Sequence, residues 1–215
     1  MNFDRIYAYR FRDVDQVARA RVWTEIARYL HRRLGEPSRV LDPAAGLGEF
    51  IANSPAAERW AVDMIDHGLS KLDGVTVRIQ PILEADLPDA YFDAVFASNL
   101  LEHFASPDEI AQFLERMYAL LRPGGVLAVM GPNFRYCSRD YFDCADHVLA
   151  LTHVAVSEHL YGAGFEVDSV TPRFLPYSFR SALPASARLT RAYLKMPLLW
   201  KVLGKQFLVI GRRPT

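Results

Sequence analysis

Apolar residues along this chain alternate between two spacings. From Asp13 to Leu34 the apolar positions Val14, Ala18, Val22, Ile26, Tyr29 and Leu30 recur at helical period. Asp13 is the expected N-cap of that helix, and Gly35 with Pro37 closes it. Short apolar runs then take over. RVLD (39–42), RWAVD (59–63), VTVRI (75–79), FDAVFAS (92–98) and VLAVMG (126–131) each read as a strand bounded by turn residues. Between the last two, SPDEIAQFLERMYALLRPGG returns to helical spacing. Ser106 and Glu109 form a capping-box pair, Pro107 takes the first helical position, and Pro123-Gly124-Gly125 stops the helix. A helix from about Val156 to Gly162 or Gly164, a sixth strand, and KQFLVIGRR as a seventh complete the alternation. Strands alternating with helices predict an α/β fold with a doubly wound sheet.

No repeat, low-complexity tract or second-domain boundary interrupts the chain. A single domain over 1–215 is therefore expected, with 1–36 as a helical cap. Residues 173–204 form a basic helical insertion, broken by Pro176, Pro184 and Pro197. Two cysteines, Cys137 and Cys144, are too few for a disulfide framework and lack metal-finger spacing. No run of 18 apolar residues offers a membrane span and the first residues are charged, so a cytoplasmic protein is expected.

Charge is distributed unevenly. The 25 basic and 25 acidic residues cancel, yet no acid follows Asp168, whereas nine basic residues do. The last 47 residues therefore carry +9 against −9 on the rest. This predicts either an anionic partner or a tail packed on an acidic body.

The candidate chemistry centres on RVLDPAAGLGEF (39–50). A strand ends at Asp42, and a small-residue turn with Gly46 and Gly48 leads into a helix start. Such a turn lets backbone N–H groups approach a ligand at the carboxyl end of a parallel strand. The next strand ends at Asp63, where a carboxylate can grip the ribose hydroxyls of an adenine nucleoside. The turn lacks the three glycines of the dinucleotide pattern.

With its leading Asp, the turn resembles the first motif of class I S-adenosylmethionine (SAM) methyltransferases, Ala44 standing for the first glycine. SNLLEHF, LRPGG and the strand–EH–helix order extend that resemblance over roughly 39 to 168. It implies a Rossmann-like, seven-stranded, mostly parallel sheet whose strand seven inserts antiparallel between strands five and six. It also implies SAM as cofactor, held at its methionine end by Asp42, Ala44, Gly46 and Gly48. Asp63 and Met64 then meet the ribose side, Glu84 or Asp86 the adenine amino group, and Asn99 the transferred methyl. GLGEF, PNFRY, DYFDCADH, RFLPYS and GKQF further resemble bacterial methyltransferases of surface-polysaccharide or secondary-metabolite pathways. DPAAG also echoes adenine-N6 DNA methyltransferases, but SNLLEH stands where those carry an N-P-P-Y-type motif.

A hydroxyl acceptor needs its proton accepted, which points to a base. In that family the loop after strand five tends to build the acceptor pocket, and here it concentrates Tyr136, Asp140, Tyr141, Asp146, His147 and His153. His147 is the first candidate, His153 the second, and His103 of the EH pair the third. His31 is expected at the surface and His159 in a structural role. His147, His153 and His159 recur every six residues, which is not a metal-ligand spacing, so no metal is assigned.

The expected reaction is methyl transfer to a hydroxyl, or an amine, of a small-molecule or glycan-type acceptor. The rivals are a SAM-fold protein that binds without transfer and an NAD(P)-dependent oxidoreductase. The basic insertion interleaves Phe174, Tyr177, Phe179, Tyr193 and Trp200, which suits an acceptor lid, an anionic or lipid-linked acceptor, or peripheral membrane contact. Nucleic acid ranks last, because the remaining residues are net acidic.

Overall fold

The computed structural model describes residues 3–10, 12–177 and 185–215. Phe179 and Pro184, both named above, lie outside the described residues. Seven strands form one sheet in the order β3-β2-β1-β4-β5-β7-β6. They are β1 (Arg39–Asp42), β2 (Glu58–Asp63), β3 (Val75–Ile79), β4 (Phe92–Ser98), β5 (Leu121–Pro132), β6 (Glu166–Thr171) and β7 (Gln206–Arg212). The first five run parallel, and β7 lies antiparallel between β5 and β6. This is the expected Rossmann-like order. The point where it reverses, between β1 and β4, is where such sheets open a crevice at their carboxyl ends.

Helices cover both faces. The set is α1 (Phe3–Arg10), α2 (Gln16–Arg33), α3 (Glu49–Asn53), α4 (Pro107–Leu120), α5 (Phe134–Cys137), α6 (His153–Gly162), α7 (Ala187–Leu194) and α8 (Pro197–Leu203). On one face Ile110, Phe113 and Met117 of α4 and Val156 and Leu160 of α6 bury against Leu41, Val95, Leu127 and Val209. On the other, Ile26, Ala27 and Leu30 of α2 and Leu194 of α7 bury against Val40, Ala94, Phe96 and Ala128.

Three boundaries differ from expectation, each for a local reason. Asp15, not Asp13, caps α2, its Oδ1 accepting from Val17 N at 2.9 Å and Ala18 N at 3.0 Å. Pro123-Gly124-Gly125 does not precede β5 but lies within it. Leu121 pairs with Phe92, and a register shift between Phe92 and Ala94 absorbs the turn residues. Helix α6 begins at His153 because the Thr152 hydroxyl caps Ala155 N.

The basic tail mostly folds onto the body. Arg191 makes two bonds to Glu25, at 2.8 and 2.7 Å, joining α7 to α2. Lys205 pairs with Asp140 and Arg212 with Asp168, while Arg213 donates to the carbonyls of Tyr118, Ala119 and Leu121. Tyr29, Phe174, Tyr193 and Trp200 pack together over α2. Leu198 and Val202 of α8 stay exposed. Among the described residues, no helix is long and apolar enough to cross a membrane.

Candidate active site

The turn after β1 is built around two left-handed glycines, Gly46 (φ 54°) and Gly48 (φ 72°). They differ in surroundings. A Cβ on Gly48 would lie 2.7 Å from Leu72 Cδ1, so packing as well as dihedral excludes a side chain there. A Cβ on Gly46 would meet nothing within 4 Å, so its backbone faces open space. Asp63, at the end of β2, reaches across: its Oδ2 accepts from Gly46 N at 2.7 Å and its Oδ1 from Ile65 N at 3.0 Å. Two strand ends adjacent in the sheet are thus tied into one cradle.

Asp42 lies buried beneath it. Burial raises its carboxyl pKa to about 8, and Asp63 adds to the rise, while the Ala44 backbone N–H opposes it. A carboxylate held in this way gains from a nearby cation. Met64, beside Asp63, is exposed and apolar. Glu84 and Asp86 are both exposed in the loop after β3, so either remains available to a ligand. Asn99 sits at the end of β4 with φ 50°, anchored by its N–H to the Met130 carbonyl at 2.8 Å. These residues gather at the carboxyl ends of the parallel strands, where doubly wound sheets open a ligand crevice.

A second group gathers just past Asn99. A 3-10 turn over Leu101–His103 presents Glu102 and His103, and the segment before α6 brings His147 against them. The His103 and His147 rings pack edge to face at 5.0 Å, and His147 Nε2 is 4.0 Å from Glu102 Oε1. Glu102 is 1% exposed, and burial raises its pKa to about 7. Burial, then the neighbouring His103, lowers that of His147 to about 4. Neither Glu102 Oε1 nor His147 Nδ1 has a hydrogen-bond partner. Asp146 pairs with Arg10 of α1, so the amino-terminal helix closes on this region, and the Asp146 carbonyl lies 2.8 Å from His103 Nδ1. Tyr177, from the start of the basic insertion, contacts Cys144 at 3.3 Å.

His153 stands apart from this group. It is buried, its Nδ1 lies 2.9 Å from Asn133 Nδ2, and its ring stacks on Tyr136. His31, expected at the surface, is half-buried with Nδ1 unpartnered. His159 lies on α6 beside a shallow cavity lined by Ala111, Glu115 and Ala155. A larger cavity of about 660 Å³ opens at the opposite, amino-terminal edge of the strands, between Arg32, Asp93 and Arg212. It shares no residue with the crevice. Glu102 and Arg10 are the groups of this region that sequence reasoning did not assign; the EH doublet was the available signal for the first.

Residues 41–129 match the family model described as a methyltransferase domain. A probable SAM-dependent methyltransferase of Mycolicibacterium smegmatis is 34% identical over 106 residues, covering 48% of this chain and 40% of that protein. The chain therefore matches less than half the length of this curated relative. A SAM-dependent methyltransferase structure from Archaeoglobus fulgidus aligns over 98% of this chain and 100% of its own, with TM-score 0.68 at 19% identity. The N-methyltransferase NodS of Bradyrhizobium japonicum, solved with S-adenosyl-L-homocysteine (SAH), aligns over 87% and 85%, with TM-score 0.61 at 15% identity. At these identities the two structures speak for the fold. Residues 41–129 are thus similar to a methyltransferase domain, and the whole chain shares the fold of SAM-dependent methyltransferases.

Proposed function

We propose that this protein binds SAM in the crevice between the glycine turn and Asp63 and methylates a hydroxyl of a small-molecule or glycan-type acceptor. The observation that carries the reading is the cradle itself: Gly46 N bonded to Asp63 Oδ2 above the buried Asp42. The residues fit the cofactor. Asp63 suits the ribose hydroxyls, Gly46 leaves room for the chain beside it, Met64 offers an apolar surface to the base, and Asp42 would ionise against the cofactor's amino group as that cation draws its raised pKa down. Glu84 or Asp86 would accept from the adenine amino group, and Asn99 would flank the methyl. When bound, SAM supplies an electrophilic methyl on a sulfonium.

The protein's own work is then to align the acceptor oxygen, exclude water and remove the hydroxyl proton. His147, with His103 beside it, is the group proposed to handle that proton; the contacts of His153 with Asn133 favour a structural role for it. Incubation with SAM and a panel of hydroxyl and amine acceptors tests the reaction by SAH release. Turnover with hydroxyl acceptors is expected; turnover confined to amines would overturn the hydroxyl assignment.

One observation favours an acceptor carried on an anionic lipid surface. Lys195 and Lys201 have no ion-pair partner among the described residues, and along the chain they stand beside the exposed Leu198 and Val202. Cations around exposed apolar side chains suit an interfacial contact.

A further inference from the structure

We propose that Glu102, His103 and His147 bind one divalent transition-metal ion on the acceptor side of the crevice. One ligand atom from each of the three lies within 4.8 Å of the other two. The 4.0 Å between His147 Nε2 and Glu102 Oε1 is too long for a hydrogen bond. Two ligands of a tetrahedral ion at about 2.0–2.2 Å stand about 3.4 Å apart, so the pair needs to close by roughly half an ångström to share one.

The independent observation is an orphaned atom. Glu102 is 1% exposed and its Oε1 has no partner, although a buried polar group left unpaired costs about 1–3 kcal/mol, and a charged one more. His147 presents Nε2, not Nδ1, to that oxygen, so with the ring proton on Nδ1 the gap holds two facing lone pairs. A cation in the gap satisfies the Glu102 oxygen.

The group is also held rigidly. The Glu102 carbonyl accepts from Val148 N at 2.8 Å and Leu149 N at 3.2 Å, which ties the segment carrying His147 to the turn carrying Glu102 and His103. The Asp146 carbonyl, 2.8 Å from His103 Nδ1, orients that ring as outer partners orient metal-bound histidines. Cys144, Asp146 and His147 form a competing set within the same distance limit. Its members are already engaged, Asp146 by Arg10 and Cys144 by the Tyr177 hydroxyl. The set that holds the unpaired Glu102 oxygen is the better site.

Two imidazoles and one carboxylate favour zinc, manganese or ferrous iron over magnesium or calcium, which prefer all-oxygen shells. Three protein ligands leave a position open. The cluster lies just past Asn99, where the proposed reaction would seat its acceptor, and this use of the ion rests on that reading. There the ion would bind the acceptor oxygen and make its proton more acidic. With His147 engaged as a ligand, the ion takes over its proposed part and the proton leaves to water; the oxygen forms its bond to the methyl carbon, and the carbon–sulfur bond breaks with its electron pair going to sulfur. The substrate class narrows accordingly to acceptors whose hydroxyl can coordinate a metal.

The test uses the full chain, stripped with chelator and titrated calorimetrically with Zn²⁺ or Mn²⁺ without SAM, then with SAM in a separate titration. One ion per chain is expected. Glu102→Gln and His147→Ala should weaken it at least as much as the roughly 10–100-fold that loss of an outer partner costs. Cys144→Ser should leave it unchanged. Circular dichroism and the SAM titration show that each variant is folded. Weak binding that neither Glu102→Gln nor His147→Ala alters would overturn the site, and loss in Cys144→Ser would move it to the competing set. Metal failure with SAM binding intact sinks this inference alone. Metal binding without SAM binding sinks only the reaction proposed above.

Discussion

Gly46 donates its backbone N–H to Asp63 Oδ2 at 2.7 Å, so the turn after β1 and the tip of β2 hold one another before any ligand arrives. Preorganisation of this kind lowers the ordering cost of binding. The two glycines of the turn should nevertheless respond differently to substitution. Gly48→Ala adds a Cβ 2.7 Å from Leu72 at positive φ and should lower thermal stability by an amount worth about 1–3 kcal/mol. Gly46→Ala meets no neighbour and should cost less stability, yet it fills the space facing the crevice. Melting curves and SAM titrations of the pair should therefore separate, Gly48→Ala losing more stability and Gly46→Ala losing more affinity per degree of Tm.

The buried Asp42 gives a pH signature. Its pKa is raised from an ordinary carboxylate value to about 8, so between roughly pH 4 and 8 the folded chain retains a proton that the unfolded chain releases. Stability of the ligand-free protein should fall as pH rises through that window, by up to about 1.4 kcal/mol per pH unit from this group. Asp42→Asn should flatten that part of the profile, raise Tm at pH 7 to 8, and weaken SAM. Denaturant melts from pH 5 to 8 check it; an unchanged slope in the variant would contradict the assignment.

Arg191 and Glu25 join the basic tail to α2. Because Arg191 is more than half exposed, its removal should cost about 1–2 kcal/mol rather than the larger sum of a buried pair. Arg191→Ala should lower Tm and leave SAM affinity unchanged. A fall in acceptor affinity at unchanged Tm would instead give this residue a substrate role.

Lys195, Lys201, Leu198 and Val202 bear on the lipid-surface reading. Sedimentation with phosphatidylglycerol vesicles, compared with phosphatidylcholine ones, should show binding that weakens with salt. Lys195→Gln with Lys201→Gln should reduce it, and so should Leu198→Ser with Val202→Ser. Equal binding to both vesicle types, or none to either, would rule that reading out.

Much of the sheet could be read from the sequence because strand and helix periods differ so plainly. FDAVFAS and VTVRI needed no tertiary information, and both strands have the expected limits. The boundaries that moved were those settled by partners elsewhere. Asp13 and Asp15 are equally good caps by composition, and the first helical bond, Arg19 N to Asp15 O, decides between them. Pro123-Gly124-Gly125 has turn chemistry, but Phe92 and Arg213 draw it into the sheet edge. The residues proposed for the cofactor could be named from the sequence because they sit at strand ends fixed by the fold. The cluster of Glu102, His103 and His147 was not. It depends on how the segment between α5 and α6 folds back, through bonds from Val148 and Leu149 to the Glu102 carbonyl. The fate of the tail's charge likewise depended on pairs such as Arg191 with Glu25, which sequence distance hides.

Calorimetric titration of the wild type and of Asp63→Ala with SAM, SAH and NAD⁺ tests the central claim most directly. The account predicts one SAM per chain, competition by SAH and no NAD⁺ binding. In Asp63→Ala the loss of charge-assisted hydrogen bonds worth about 1.5–3 kcal/mol should weaken SAM by roughly 10- to 150-fold. Wild-type affinity in Asp63→Ala, or binding of NAD⁺ in place of SAM, would contradict it.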